Sequence, residues 1–126
     1  MVRPRDHRGM AVKLNTKALE HAEKLIRSGH AVHDERDAWS EDAPSTDAEN
    51  RWLDKHGWDD FALWHLGIDE SEPEDTKKRY SFPYGDYSKV HRCAVISLES
   101  RAGQYDHDDI EKAAKTLLER LDSGGK

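Results

Sequence analysis

His91 and Cys93 stand two residues apart with Arg92 between them, and by type they are the pair best suited to thiol or metal chemistry. A cation beside a cysteine stabilises the thiolate, and histidine serves as both a general base and a metal ligand. His30 and His33 form a second closely spaced pair. A zinc centre needs three or four converging donors, and no CxxC or HExxH spacing gathers them here. If His91 and Cys93 share one helix, their side chains diverge by about 200°. No metal, cofactor or catalytic residue is therefore expected, and an enzyme built on this pair is the disfavoured alternative.

A longer constellation surrounds that pair. Lys77 to Arg92 reads KKRYSFPYGDYSKVHR, with basic residues at 77, 78, 79, 89 and 92, aromatics at 80, 82, 84 and 87, and Asp86 as its only acid. Cations interleaved with rings suit a protein partner, because charge steers the encounter and aromatics anchor it. The same pattern suits a nucleic acid or phosphate ligand, whose phosphates meet the cations while its bases stack on the rings. A third reading packs Tyr80, Phe82 and Tyr84 inward, with Arg79 and Arg92 pairing to acidic stretches of the same chain. The candidate binding residues are Lys77, Lys78, Arg79, Tyr84, Lys89, His91, Arg92 and Arg101, the last near the tip of a turn.

Composition limits what these residues can belong to. In 126 residues, 37% charged against 35% hydrophobic, there is room for one small domain. No apolar run approaches the ~20 residues of a membrane span. The basic start lacks the apolar stretch of a secretory signal. One cysteine precludes an internal disulfide framework and fits a reducing, cytoplasmic setting. The net charge of −6 argues against broad coating of nucleic acid. It averages over blocks, however: five acids fall within Asp69 to Asp75, directly before the basic segment. Contact between such blocks on two copies of the chain would make a homodimer.

Positioning these residues requires a scaffold, and the periodicity predicts helices. Residues 1–13 lack an apolar period and are expected to form a flexible arm; 14–122 form the domain and 123–126 fray. Ala18, Leu19, Ala22, Leu25 and Ile26 recur at helical spacing, with Asn15 as N-cap and Gly29 as stop. Thr46 and Glu49 at capping-box spacing open a second helix that Gly57 ends. A third is expected from Trp58 to about Leu66, and a long one from an Asp86 cap to about Ala102. The last runs from Asp106, with Ile110, Ala113, Ala114, Leu117, Leu118 and Leu121 facing inward. The expected fold is all-α: four or five helices, a C-terminal antiparallel hairpin, and four tryptophans filling the core.

The stretches WHLGID from Trp64, RYSFPYGDY from Arg79, VHR from Val90 and SRAGQY from Ser100 resemble a family of small proteins found in bacteria and some fungi. The resemblance covers residues 14–122 and brings no established activity with it. The Phe-Pro segment and following hairpin are also similar in pattern to modules of phage head-morphogenesis proteins. Residues and resemblance together predict a cytoplasmic protein-binding or accessory protein, with nucleic-acid or phosphate binding as the alternative.

Overall fold

The computed structural model describes residues 12–35, 38–39 and 43–124. The chain is a mixed α/β domain, which corrects the all-α bundle expected from periodicity. Among the described residues, four helices are joined by five short strands. The elements are β1 (Val12–Leu14), α1 (Thr16–Arg27), β2 (Ala31–Val32), α2 (Thr46–Ala62), β3 (His65–Asp69), β4 (Tyr80–Pro83), β5 (Val90–His91), α3 (Arg92–Gln104) and α4 (Asp108–Gly124). One turn of 3₁₀ helix, Lys77–Arg79, precedes β4. The strands span two to five residues, too short for a period of two to emerge from sequence.

β1, β3 and β4 form an antiparallel sheet with β3 central. β2 and β5 form a separate parallel pair in which Val32 lies opposite His91. The expected arm therefore contributes residues 12 and 13 to a strand, and residues 1–11 and 125–126 lie outside the described residues. Gly67 sits mid-sheet because a Cβ there would come within 2.6 Å of Ser81 Oγ and 2.8 Å of the Phe82 ring.

α1 forms as its stripe predicts: Ala18, Ala22 and Ile26 are buried, and Gly29 closes it at φ 84°. The Asn15 side chain does not cap the helix. It donates instead to the carbonyls of Ala62 and His65, fastening the start of α1 to the α2–β3 junction. The two helices expected on either side of Gly57 are there as two segments of α2 that meet at a kink, since Gly57 takes the non-helical φ 87° and ψ 173°; the second ends at Ala62 rather than about Leu66. Its cap is Ser45 rather than Thr46, with Ser45 Oγ accepting from the Ala48 amide. α3 and α4 form the expected hairpin, linked by Tyr105, Asp106 and His107. Val95, Leu98, Ala102, Ile110, Ala114, Leu117 and Leu121 share one core with α1, Leu66, Phe82 and Tyr84. Of the tryptophans expected to fill that core, Trp64 is buried and Trp39, Trp52 and Trp58 are half-buried.

α3 begins at Arg92 and not at Asp86. Asp86 does accept from the amides two and three residues ahead, Ser88 and Lys89, as an N-cap would. Tyr87 then adopts φ 68° and the Asp86 amide donates back to the Lys89 carbonyl, so the chain reverses into β5. Phe82, at φ 60°, turns the chain at the other end of the Pro83–Asp86 segment. Left-handed backbone at an aromatic residue costs on the order of 1–3 kcal/mol, so packing must hold both ends. Gly85 fits between the Lys89 carbonyl and the Trp64 ring, where an added Cβ would collide with both. Gly85→Ala is expected to lower the unfolding free energy by about 2 kcal/mol. Gly103→Ala, which meets only the flexible Glu111 carboxylate inside a helix, should be neutral or stabilising. Chemical denaturation of the two variants checks the contrast.

Candidate functional sites

The reversal at Tyr87 sets Asp86 against His91, and the β2–β5 pairing brings Asp34 to the other edge of the same ring. His91 Nδ1 lies 2.7 Å from Asp34 Oδ2 and Nε2 lies 2.8 Å from Asp86 Oδ2. Carboxylates only accept, so both ring nitrogens donate and the ring is an imidazolium. Burial opposes its charge, but the bonds to Asp86 and Asp34 outweigh burial and raise the His91 pKa above the ordinary histidine value. Burial likewise pushes Asp86 up, and its bonds from His91 and the turn amides bring it below the usual carboxylate range. The other Asp34 oxygen accepts from the Cys93 amide at 2.9 Å. Trp39 covers the ring with its centroid 5.4 Å away.

His91 therefore lies before α3, which overturns the divergence expected for two residues of one helix. The donor atoms of Asp34, His91 and Cys93 all lie within 4.8 Å of one another, and Cys93 and His91 are buried. Sequence offered no signal for Asp34, which sits 57 residues from His91 in a polar connection without periodicity.

The remaining predicted binding residues mostly engage their own chain. Lys77 donates to Glu49 at 2.8 Å and to Asn50 at 2.6 Å. Arg79 donates to the Glu70 and Glu72 carbonyls, knitting the acidic loop to the basic segment. Arg92 pairs with Asp122, and Arg101 lies over the Phe82 ring. Tyr84 is fully buried, stacks on Trp64 and donates to the Leu63 carbonyl at 2.6 Å. Lys78 and Lys89 are exposed. His91 and Arg92 are neighbours at one edge of the fold, but the cations do not converge on a single open surface with Tyr84.

A second arrangement lies at the opposite end of this segment. Tyr87 stacks on Trp52 and donates to Glu49, while Phe61 and His65 fill the layer behind it. Burial pushes Glu49 up, yet bonds from Lys77 and Tyr87 hold it below the ordinary carboxylate value. Beside this layer, Trp58 and Tyr80 stack 6.3 Å apart along a cleft of about 500 Å³. Asp59 and Asp60 at the end of α2 and Glu74 and Asp75 of the acidic loop line it together with Lys17 and Arg79. Sequence gave each half of this cleft separately, as a helix and a solvated loop, without their meeting.

Comparison with protein-family models, curated proteins and solved structures finds no match, so function rests on these two arrangements alone. No helix among the described residues is long and apolar enough to cross a membrane.

Two of the buried histidines, His65 and His91, carry opposite pH signatures. Burial pulls the His65 pKa down to about 4 against the bond to the Phe61 carbonyl, so the ring is neutral at pH 7. The unfolded chain takes up that proton near pH 6.5, and stability should fall by about 3 kcal/mol as pH drops from 6.5 towards 4. His65→Asn should flatten that limb in urea melts. The contribution of His91, whose folded value is raised, is fully present below pH 6.5 and is lost as pH rises through that raised value.

Proposed function

We propose that the chain is a protein-binding module whose docking site is the cleft between α2 and the acidic loop, and that its partner inserts a lysine or arginine side chain there. The observation that carries this reading is the charge at the end of α2. A helix C-terminus is the negative end of the macrodipole and favours cations, yet the last turn of α2 holds Asp59 and Asp60 and no basic residue. Glu74 and Asp75 face the same cleft. Against Lys17 and Arg79 of the same lining, four carboxylates and a helix end leave a net negative field beside the faces of Trp58 and Tyr80. A guanidinium or ammonium entering the cleft would relieve that field and lie against the rings, a contact worth about 0.5–2 kcal/mol.

This keeps the protein-binding class expected from sequence and moves the surface. Lys77, Arg79 and Arg92 hold acids and carbonyls of their own chain, while acids between residues 59 and 75 line the open cleft.

A fluorescent arginine-rich peptide should bind at low salt and weaken as salt rises, by fluorescence anisotropy. Asp59→Asn combined with Asp60→Asn should weaken it about tenfold or more, and a glutamate-rich peptide should not bind. Equal binding of the basic peptide to wild type and the double variant contradicts the proposal.

A further inference from the structure

The cluster around His91 has the composition of a first coordination shell. From the convergence of the Asp34 carboxylate, the His91 ring and the Cys93 thiol, we propose that these three groups bind one zinc-class divalent ion. The donor atoms are within 4.8 Å of one another. Tetrahedral zinc, with bonds near 2.0–2.3 Å, needs donors about 3.3–3.8 Å apart, so the widest gap must close by up to about 1.5 Å and the 2.7 Å Asp34–His91 hydrogen bond must open by about 0.6 Å.

The supporting contacts match what such a site requires. A metal-bound imidazole commonly donates its second N–H to a carboxylate, which fixes the ring. Asp86 already accepts from His91 Nε2 at 2.8 Å, leaving Nδ1 on the side of Asp34. Asp86 is itself fixed by the Ser88 and Lys89 amides, so the ring is oriented by a rigid turn. The Cys93 amide holds Asp34 Oδ1, which directs Oδ2 towards the shared centre. One sulfur, one nitrogen and one oxygen suit zinc or cobalt and not magnesium or calcium, which take oxygen.

Charge also balances. Loading displaces the proton at His91 Nδ1 and the thiol proton of Cys93, both released to solvent, and a dication replaces those two unit charges. The cluster keeps the same net charge, so loading adds no uncompensated charge to a group whose His91 side chain is only 8% exposed. Three protein ligands leave a fourth position for water.

The test uses the full chain, metal-free and without an affinity tag, titrated with Co²⁺ and then Zn²⁺. The expected result is one equivalent of Co²⁺ bound, with a thiolate-to-cobalt charge-transfer band and tetrahedral d–d absorption that Zn²⁺ abolishes. Cys93→Ala should remove the charge-transfer band, and His91→Gln should lower affinity at least 100-fold. Asp86→Asn should weaken binding 10- to 100-fold while keeping the band, with circular dichroism confirming that each variant is folded. Absence of the thiolate band in the wild type overturns the proposal, whatever the variants do. So does a band or stoichiometry that survives in folded Cys93→Ala.

Discussion

His91 is held between two carboxylates that come from separate connections and bind opposite nitrogens of its ring. Asp34 follows β2, and Asp86 belongs to the turn before β5. The ring thereby joins the connection after α1 to the segment that feeds α3. The strained backbone at Phe82 and Tyr87 is tolerable because its products are fixed: Tyr84 is locked in the core, and Asp86 is locked on His91. A buried ion pair is not in itself a strong stabiliser, because desolvation offsets much of the attraction. Its clearest effect here is on register, since a helix continuing from Asp86 would carry His91 away from Asp34.

The same segment organises charge at its other end. Lys77 and Tyr87 converge on Glu49, and Arg79 ties the acidic loop by its backbone carbonyls. Basic and acidic blocks that look self-complementary between molecules thus complement each other within one. What is left over is negative, concentrated where α2 ends against Glu74 and Asp75. That remainder and the clamp are the two places where local rules are broken without an evident local gain, the usual mark of function.

The helices were legible because each buries a stripe at a spacing of three and four residues, as Ala18, Ala22 and Ile26 or Ile110, Leu117 and Leu121 do. The strands were not legible. HLGID of β3 continued the apolar run of α2, and Val90–His91 fell on the helical period of α3. Asp86 gave a true capping signal, with bonds to the amides two and three residues on, but the left-handed Tyr87 made a turn of it. Nothing local marks a bulky aromatic for that conformation; it is imposed by packing against Trp52, Phe61 and Trp64. Of the candidate residues, His91 belongs to the clamp and Arg79 borders the cleft. Asp34, Asp59 and Asp60 came from parts of the chain where sequence showed only polar surface.

The clamp as the organising contact is tested most directly by a double-mutant cycle on Asp34 and His91. Urea unfolding would be measured at pH 6 for wild type, Asp34→Asn, His91→Gln and the pair. Coupling of about 1–3 kcal/mol is expected, the double variant losing less than the sum of the two single losses. Additivity within about 0.5 kcal/mol would show that the ring and the carboxylate stabilise the fold independently, and would contradict the account.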